Sequence, residues 1–486
     1  MVTRRGARKK RPSPSANLDR SPYFANGSSE TLIAEHHDID GLHDEKTNGS
    51  ANGSFVAPPG DWILTKTIPA HLIGNPYFDK IPDDVEGRKV STNIVLLRRE
   101  NTPVDFSLSQ AICSYGYFCL APNRWVPGRP SKGDGSSGGD DDEGYLVRPL
   151  TYARPIRDKT ETNQPTTTHT VLVAIGQDTT SSSSSSTSST KRSVVVALQS
   201  HVAPIYHRQL VSQIDRMLRL DTCLEEFHGL HPEAKARGFG RLYRSPTLFE
   251  DMVKTITNCN MKWGGTVDMN AKLCKHVGNG GAFPTPREIN AVGADFLKEH
   301  CRVGYRGKYI WNLARDIVEG NFDPHRDLEL PSKPSPESPH RRSSREEVQK
   351  RLLRIQGIGP FAANNILQLM GYFDTHPYDT ETVRLWKEEF GAPEKAPKAR
   401  VFLEARKHYS RYEPYSFTAY WFDLWKNYER RAGAQSPMWS IEQLEGERPQ
   451  WVESDHNSVF ANPPPKPTTA AANSTDQRKS SKRKRV

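Results

Sequence analysis

Cysteine is scarce and scattered: the chain of 486 residues has six (Cys113, Cys119, Cys223, Cys259, Cys274, Cys301), and no two stand in C-x2-C spacing. That pattern supports neither a structural zinc nor an iron–sulfur cluster. With no secretory leader in view, the thiols are expected to be reduced, in an intracellular protein. Long apolar stretches are missing too. No run approaches the ~18 residues that would suggest a membrane span, and the mean hydropathy is −0.71. The 16 histidines have no ligand spacing, so no metal is expected. The 34 glycines, 36 prolines and several Ser/Thr-rich tracts leave a folded core of about 330 residues with flexible ends and insertions. That length still buries a substantial core.

Positive charge, by contrast, is in excess. Lys plus Arg number 67 against 57 Asp plus Glu, a formal +10. The balance favours a polyanionic partner, although it also serves solubility. One cluster opens the chain (Arg4, Arg5, Arg8, Lys9, Lys10, Arg11) and another closes it (Arg478, Lys479, Lys482, Arg483, Lys484, Arg485). Short Lys/Arg runs in polar tails read as nuclear-import or nucleic-acid-binding patches. The nucleus is therefore the expected location, with import receptors as partners. A mitochondrial presequence fits less well, because Pro12 and Pro14 interrupt the basic segment and no apolar helical stripe accompanies it.

Along the chain, residues 1–58 are polar and without periodicity and are expected to be disordered. Residues 59–200 read as a β-rich domain. Asn93–Leu97, Val171–Ile175 and Val194–Leu198 are candidate strands, with looped insertions at Gly128–Asp142 and in the Ser/Thr tract Thr179–Thr190. After His201 the period becomes helical. Leu210, Ile214, Met217 and Leu218 recur at spacings of three and four, as do Leu248, Met252, Val253 and Ile256, and residues 201–431 are expected to be all-α with a linker at 331–345. From 432 to 486 the chain is again expected to be disordered, with Trp439, Ile441 and Leu444 as a short docking element.

The most informative stretch runs from Val348 to Trp386. A first helix turns through Ile355-Gln356-Gly357-Ile358-Gly359, and Pro360 fits the first position of a second helix, whose stripe is Ala362, Ala363, Ile366 and Leu367. Two helices joined by a glycine hairpin expose backbone N–H groups at the start of the second, where a phosphate oxygen is well received. An ordinary helical hairpin needs its glycines only for the turn. Twenty residues beyond Gly359, in His376-Pro377-Tyr378-Asp379-Thr380-Glu381-Thr382, Asp379 precedes another apolar run. It is a candidate helix cap, which by itself needs no catalytic role.

Taken together these residues resemble the helix-hairpin-helix glycosylases of base-excision repair, the superfamily that includes bacterial alkylpurine glycosylase and eukaryotic 8-oxoguanine glycosylase. Ile355, Gly357, Ile358, Gly359 and Ala363 match the hairpin signature, and Pro377 and Asp379 match its P-x-D. The likeness extends over about residues 90 to 430, with Tyr412–Tyr420 similar to the closing helix. The implied fold is mostly α, a helix-hairpin-helix glycosylase domain with an additional amino-terminal antiparallel β (α+β) domain. The implied function is monofunctional release of a damaged base, with Asp379 favouring the positive charge that develops on the deoxyribose. A position near a helix N-terminus is expected to keep its carboxylate ionised.

The reaction class follows from a departure. Where lyase members carry a nucleophilic lysine, two positions after the last hairpin glycine, this chain has Phe361, which cannot form a Schiff base. An aromatic residue there favours an alkylated purine stacked in the pocket. Core packing is the alternative for Phe361; Phe118 and Trp125 are candidates to complete the wall from the β domain, with buried packing the default for both, and Gln356, Gly357, Ile358 and Gly359 are expected to grip the backbone. Asn260, Met261 and Lys262 form the expected insertion loop; Asn260 resembles the asparagine that contacts the orphaned cytosine in 8-oxoguanine glycosylase, and Met261 is a candidate apolar wedge. The cation-rich segments Arg237–Arg244 and Arg302–Tyr309 are candidate phosphate contacts. The expected partner is damaged double-stranded DNA, bound by a monomer. No cofactor is required, with a monovalent cation at the hairpin left open. Two alternatives stand beside this reading: a non-catalytic DNA-binding protein that keeps the hairpin, and a glycosylase-lyase acting on oxidised guanine or mismatched bases through a lysine such as Lys262.

Overall fold

In the sequence, the short continuous apolar runs 171–175 and 194–198 call for buried strands, and these segments pair antiparallel with Val173 opposite Leu198 and Ile175 opposite Val196. The computed structural model describes residues 62–65, 95–100, 102–103, 105–128, 144–153, 168–182, 189–200, 202–328 and 344–439. The basic tails, the linker expected at 331–345 up to residue 343, the Gly/Ser/Asp insertion from 129 to 143, and Ile441 and Leu444 lie outside the described residues.

Six strands form one sheet: β1 (Trp62–Leu64), β2 (Val95–Arg99), β3 (Arg124–Val126), β4 (Tyr145–Ala153), β5 (Thr168–Ser182) and β6 (Ser189–Leu198). Their order is β1-β2-β6-β5-β4-β3, with every neighbour antiparallel. β5 and β6 are longer than their apolar runs, because the ladder continues through the Ser/Thr tract as far as Ser182 opposite Ser189. Once register is set by the buried end, polar and β-branched residues extend a hairpin readily.

Helices follow: α1 (Leu108–Ile112) between strands, then α2 (His207–Leu218), α3 (Glu225–Leu230), α4 (Pro232–Ala236), α5 (Leu248–Asn258), α6 (Trp263–His276), α7 (Pro286–His300), α8 (Arg306–Val318) and α9 (Pro324–Asp327). After the linker come α10 (Arg345–Leu352), α11 (Pro360–Met370), α12 (Thr380–Glu389), α13 (Lys398–Tyr409) and α14 (Ser416–Ala432). Their starts are written locally. Ser344 and Glu347 form a capping box on α10, Thr285 and Glu288 another on α7, and Pro360 occupies the first turn of α11. The architecture is thus mostly helical with an amino-terminal antiparallel sheet.

Two apolar cores organise these elements. In the first, the inward row of the sheet (Leu146, Val171, Val173, Ile175, Val194, Val196) packs with α2 through Leu210, Ile214 and Met217 and with α14 through Phe417, Phe422 and Trp425. The sheet therefore shares its core with helices from both ends of the helical region rather than closing one of its own. The second core joins α5–α8 to the hairpin pair: Met252, Val253, Ile256, Leu273, Leu297, Ile310 and Leu313 meet Val348, Leu352, Ile358, Ala363 and Ile366. Both cores contribute residues to one cleft.

Candidate active site

The cleft has a volume of about 1830 Å3, more than a single nucleoside fills and closer to a groove with a pocket in it. Its lining draws on the hairpin, the loop before α6, the start of α8, the segment Tyr115–Cys119, the loop into α12, and one face of α14.

Asp379 stands on this cleft as the N-cap of α12, with extended backbone (φ −147°, ψ −157°). Its Oδ1 accepts from the N–H of Glu381 at 2.9 Å and of Thr382 at 3.3 Å, and its own N–H donates to Thr382 Oγ1 at 3.2 Å. The cap uses one carboxylate oxygen. Oδ2 makes no hydrogen bond with any described residue and is not among the buried unpartnered atoms, so it is left to the cleft. Capping and an available carboxylate thus coexist in one residue. Burial pushes the acid up from the usual aspartate range, and the Thr382 and Glu381 amides pull it back only in part. The helix terminus opposes protonation, as expected, but desolvation outweighs it.

The hairpin is formed by Ile355–Gly359 between α10 and α11. Gly357 has φ +92° and is half-buried against Tyr309, whereas Gly359, the N-cap of α11, is exposed and nothing lies within 4 Å of where its Cβ would be. No side chain caps α11, so its first N–H groups point from the protein surface without a side-chain acceptor. Ile358 is buried beneath the turn, and Gln356 is exposed with its Oε1 accepting from Asn312 Nδ2 at 2.6 Å.

Phe361, one residue into α11 from Pro360, is half-buried on the cleft and has no ring packed against it among the described residues. Its carbonyl accepts from Asn365 Nδ2 at 3.0 Å, while Asn365 Oδ1 accepts from the Tyr115 hydroxyl at 3.0 Å. Tyr115 in turn leans on Trp421, with centroids 4.7 Å apart. Phe118 and Trp125 do not line the cleft. Phe118 is 2% exposed and lies 6.4 Å from Trp425 and 6.3 Å from Trp439; Trp125 is 4% exposed and donates its Nε1–H to the Pro437 carbonyl at 2.7 Å. The segment after α14 folds back over both and takes them into the core. Trp421, Leu424 and Trp425 of α14 supply the wall instead. Their signal in the sequence was the i, i+4 pair of tryptophans in a helix already rich in aromatics, which composition alone assigns to packing.

The loop between α5 and α6 also reaches the cleft. Asn260 is exposed with φ +51°, a conformation that asparagine tolerates, and Met261 and Lys262 are exposed beside it. Arg306 pins this loop from behind: it is 4% exposed, and its Nη2 donates to the carbonyls of Cys259 and Asn260. It is thus committed internally rather than free for phosphate. The same holds for the segment Arg237–Arg244. Arg237 pairs with Glu429 at 2.8 Å, Arg241 is buried and donates to the carbonyl of Arg219, and Arg244 donates to that of Arg216. The cations that do face the cleft are Lys262, Arg354, Lys398 and Arg431, all exposed, and none makes an ion pair with another described residue. Among the described residues no group of three His, Cys, Asp or Glu could hold a metal, and no helix is long and apolar enough to cross a membrane.

No family model matches the chain, and no curated protein matches it. Among solved structures it is similar to MBOgg1 in complex with a low-affinity DNA ligand, at 17% identity over 71% of this chain and 97% of that one, with a TM-score of 0.44. It is also similar to apo 8-oxoguanine glycosylase/lyase from Clostridium acetobutylicum (15% identity, 69% and 97% of the chains, TM-score 0.40). A third is the 3-methyladenine DNA-glycosylase from Archaeoglobus fulgidus (16% identity, 68% and 98%, TM-score 0.42).

Proposed function

We propose that the chain is a monofunctional DNA N-glycosylase that releases a damaged base, most suitably an alkylated purine, from duplex DNA. The observation that carries the reading is the free Oδ2 of Asp379 in a cleft that also holds an uncapped helix N-terminus, an exposed hairpin and four cations without ion-pair partners among the described residues. Each part serves one step. The first N–H groups of α11 and the exposed Gly359 suit a phosphate oxygen, while Lys262, Arg354, Lys398 and Arg431 suit the flanking phosphates. A nucleotide turned out of the duplex brings its base among Phe361, Tyr115 and Trp421 and its sugar toward Asp379.

As the C1′–N bond lengthens, electrons leave with the base and C1′ gains oxocarbenium character. The Asp379 carboxylate attracts that charge more strongly than it attracts the neutral sugar, and this difference is what accelerates the step. Water then adds at C1′ and loses a proton, leaving an abasic site. Stacking is the favoured mode of base recognition, because Asn365, the amide on the pocket wall, already spends its oxygen on Tyr115 and its nitrogen on the Phe361 carbonyl. An electron-poor, alkylated purine stacks well on such faces and is a good leaving group.

Base release from a panel of single-lesion duplexes tests the reading, with wild type and Asp379→Asn side by side. Lesion-dependent abasic sites from wild type, a loss of about a hundredfold or more in the variant, and unchanged DNA binding are expected. Equal release by both proteins removes Asp379 from the mechanism, and release by neither favours a non-catalytic DNA-binding protein. Borohydride trapping of wild type is expected to give no covalent adduct. We further propose nuclear residence through the two basic clusters, testable by the distribution of a fluorescent fusion with and without them.

A further inference from the structure

The helix that supplies the aromatic wall also reaches the carboxylate. A capping box ordinarily ends at the hydroxyl or carboxylate that answers the N-cap amide, but the one at Asp379 continues. Thr382 is fully buried, and its Oγ1, which accepts from the Asp379 N–H, lies 2.7 Å from the hydroxyl of Tyr420 on α14. Tyr420 is 1% exposed, and its ring meets that of Tyr378 edge-on at 5.9 Å. One side chain therefore touches both flanks of Asp379, with its ring on the preceding residue and its hydroxyl on the far side of the cap. α14 is also tied to α12 further along, where Tyr428 donates to Glu381 at 3.0 Å and Asn427 to Glu389 at 2.7 Å, so the anchor is rigid.

On the reading that Asp379 serves base release, we propose that Tyr420 is the positioning residue that fixes the orientation of the Asp379 carboxylate toward the cleft. With the Asp379 amide held by Thr382 and Oδ1 held by two amides of α12, the carboxylate cannot turn without breaking the cap, and Oδ2 stays directed at the sugar. Loss of the Tyr420 hydroxyl leaves the buried Thr382 hydroxyl short of a partner and frees the first turn of α12 to shift. A catalytic group displaced by a fraction of an ångström loses rate and not affinity.

Tyr420→Phe keeps the ring and removes only the hydroxyl. We expect kcat for base release to fall about ten- to a hundredfold with KM for the duplex held within about twofold, and the acid limb of the pH profile to move. From the other end of the same hydrogen bond, Thr382→Ser retains the wild-type rate whereas Thr382→Val does not, and this pair decides the matter if Tyr420→Phe loses its thermal transition. A folded Tyr420→Phe protein with unchanged kcat and acid limb, or Thr382→Val as fast as Thr382→Ser, overturns the positioning role. Asp379→Asn measured alongside separates the two ideas. If it releases base like wild type, the glycosylase reading falls and takes the positioning role with it; if it is inactive while Tyr420→Phe is not, only the positioning role falls.

Discussion

A side-chain carbon at Gly357 would lie 2.7 Å from the ring of Tyr309, closer than packed carbons come. The backbone there also has φ +92°, so Gly357→Ala is disfavoured both by contact and by conformation, at ~1–3 kcal/mol for the conformation. Gly359 differs on both counts, with φ −90° and open space where its Cβ would be. The two substitutions therefore separate fold from binding. Gly357→Ala is expected to lower Tm and DNA affinity together. Gly359→Ala is expected to leave Tm unchanged and weaken DNA binding about tenfold, since the new methyl occupies the face that meets phosphate. Calorimetry and fluorescence anisotropy check the pair; unchanged affinity in Gly359→Ala removes the hairpin from the DNA interface.

On the proposed reading, the acid limb of base release belongs to Asp379. The reaction needs the ionised carboxylate, so the rate is present above the acid's pKa and is lost as pH falls through it. Burial raises that pKa above the ordinary aspartate value, so the loss begins at a higher pH than an exposed aspartate would give. Glu381 adds to the rise and Arg384, which grips Glu381 through Nε at 2.9 Å and Nη2 at 2.8 Å, opposes it. Single-turnover rates against pH are expected to show the limb moving down in Glu381→Gln and up in Arg384→Gln. A limb unmoved in both variants means that another group controls it.

The residues legible in the sequence were those whose signal is local. Gly357, Pro360 and Asp379 announce a turn, a first helical residue and a cap by their types and near neighbours, and the continuous apolar runs at 171–175 and 194–198 announce buried strands. Phe118 and Trp125 take the packed place rather than the wall because their exposure is decided elsewhere: the chain around Pro437 and Trp439, more than three hundred residues on, folds over them. Arg306 likewise reads as a surface cation in its own segment, and only the return of the loop at Cys259 makes it a buried donor. The wall on α14 is not legible either, because one aromatic-rich helix packs Phe417 into the core while Trp421 and Trp425 also line the cleft, a division that sequence period alone does not assign.

Arg306 bears on whether the loop between α5 and α6 enters the duplex. Its guanidinium is buried and donates to the carbonyls of Cys259 and Asn260, the second of which has a left-handed backbone. Arg306→Met preserves much of the buried stem and removes the donors. We expect the loop to lose its shape, so that undamaged duplex is bound almost normally while base extrusion, followed by fluorescence of 2-aminopurine next to a lesion, falls about tenfold. Normal extrusion in this variant argues that the loop does not enter the duplex.

Salt dependence distinguishes the cleft cations from other surface charge. Each phosphate contact releases condensed counterion, so neutralising Lys262, Arg354, Lys398 or Arg431 is expected to reduce the slope of log affinity against log salt by about one where the residue meets phosphate. Arg400 serves as a control, since it is paired with Glu404 at 2.8 Å and does not line the cleft. Equal slopes for the cleft variants and Arg400→Gln place the DNA on another face.

On the proposed reading, Phe361 sets both the stacking and the reaction class of the pocket. Its ring is on the cleft with no aromatic partner among the described residues, so Phe361→Ala is expected to lose stacking and lower kcat/KM for release by about ten- to a hundredfold with little change in Tm. Phe361→Lys asks a sharper question. If residue 361 reaches C1′, a neutral amine there attacks as the C1′–N bond breaks. The base departs with the C1′–N electron pair, one amine proton passes to the base or, where the base leaves neutral, to solvent, the other passes to O4′ as the ring opens, and an imine links protein to sugar. Borohydride reduces that imine to a stable adduct. We therefore expect trapping with Phe361→Lys and none with wild type, and none with the double variant Phe361→Lys/Asp379→Asn. A folded Phe361→Lys protein that releases base but is never trapped puts residue 361 beyond reach of the sugar, and the absence of a lysine at this position then no longer explains monofunctional chemistry.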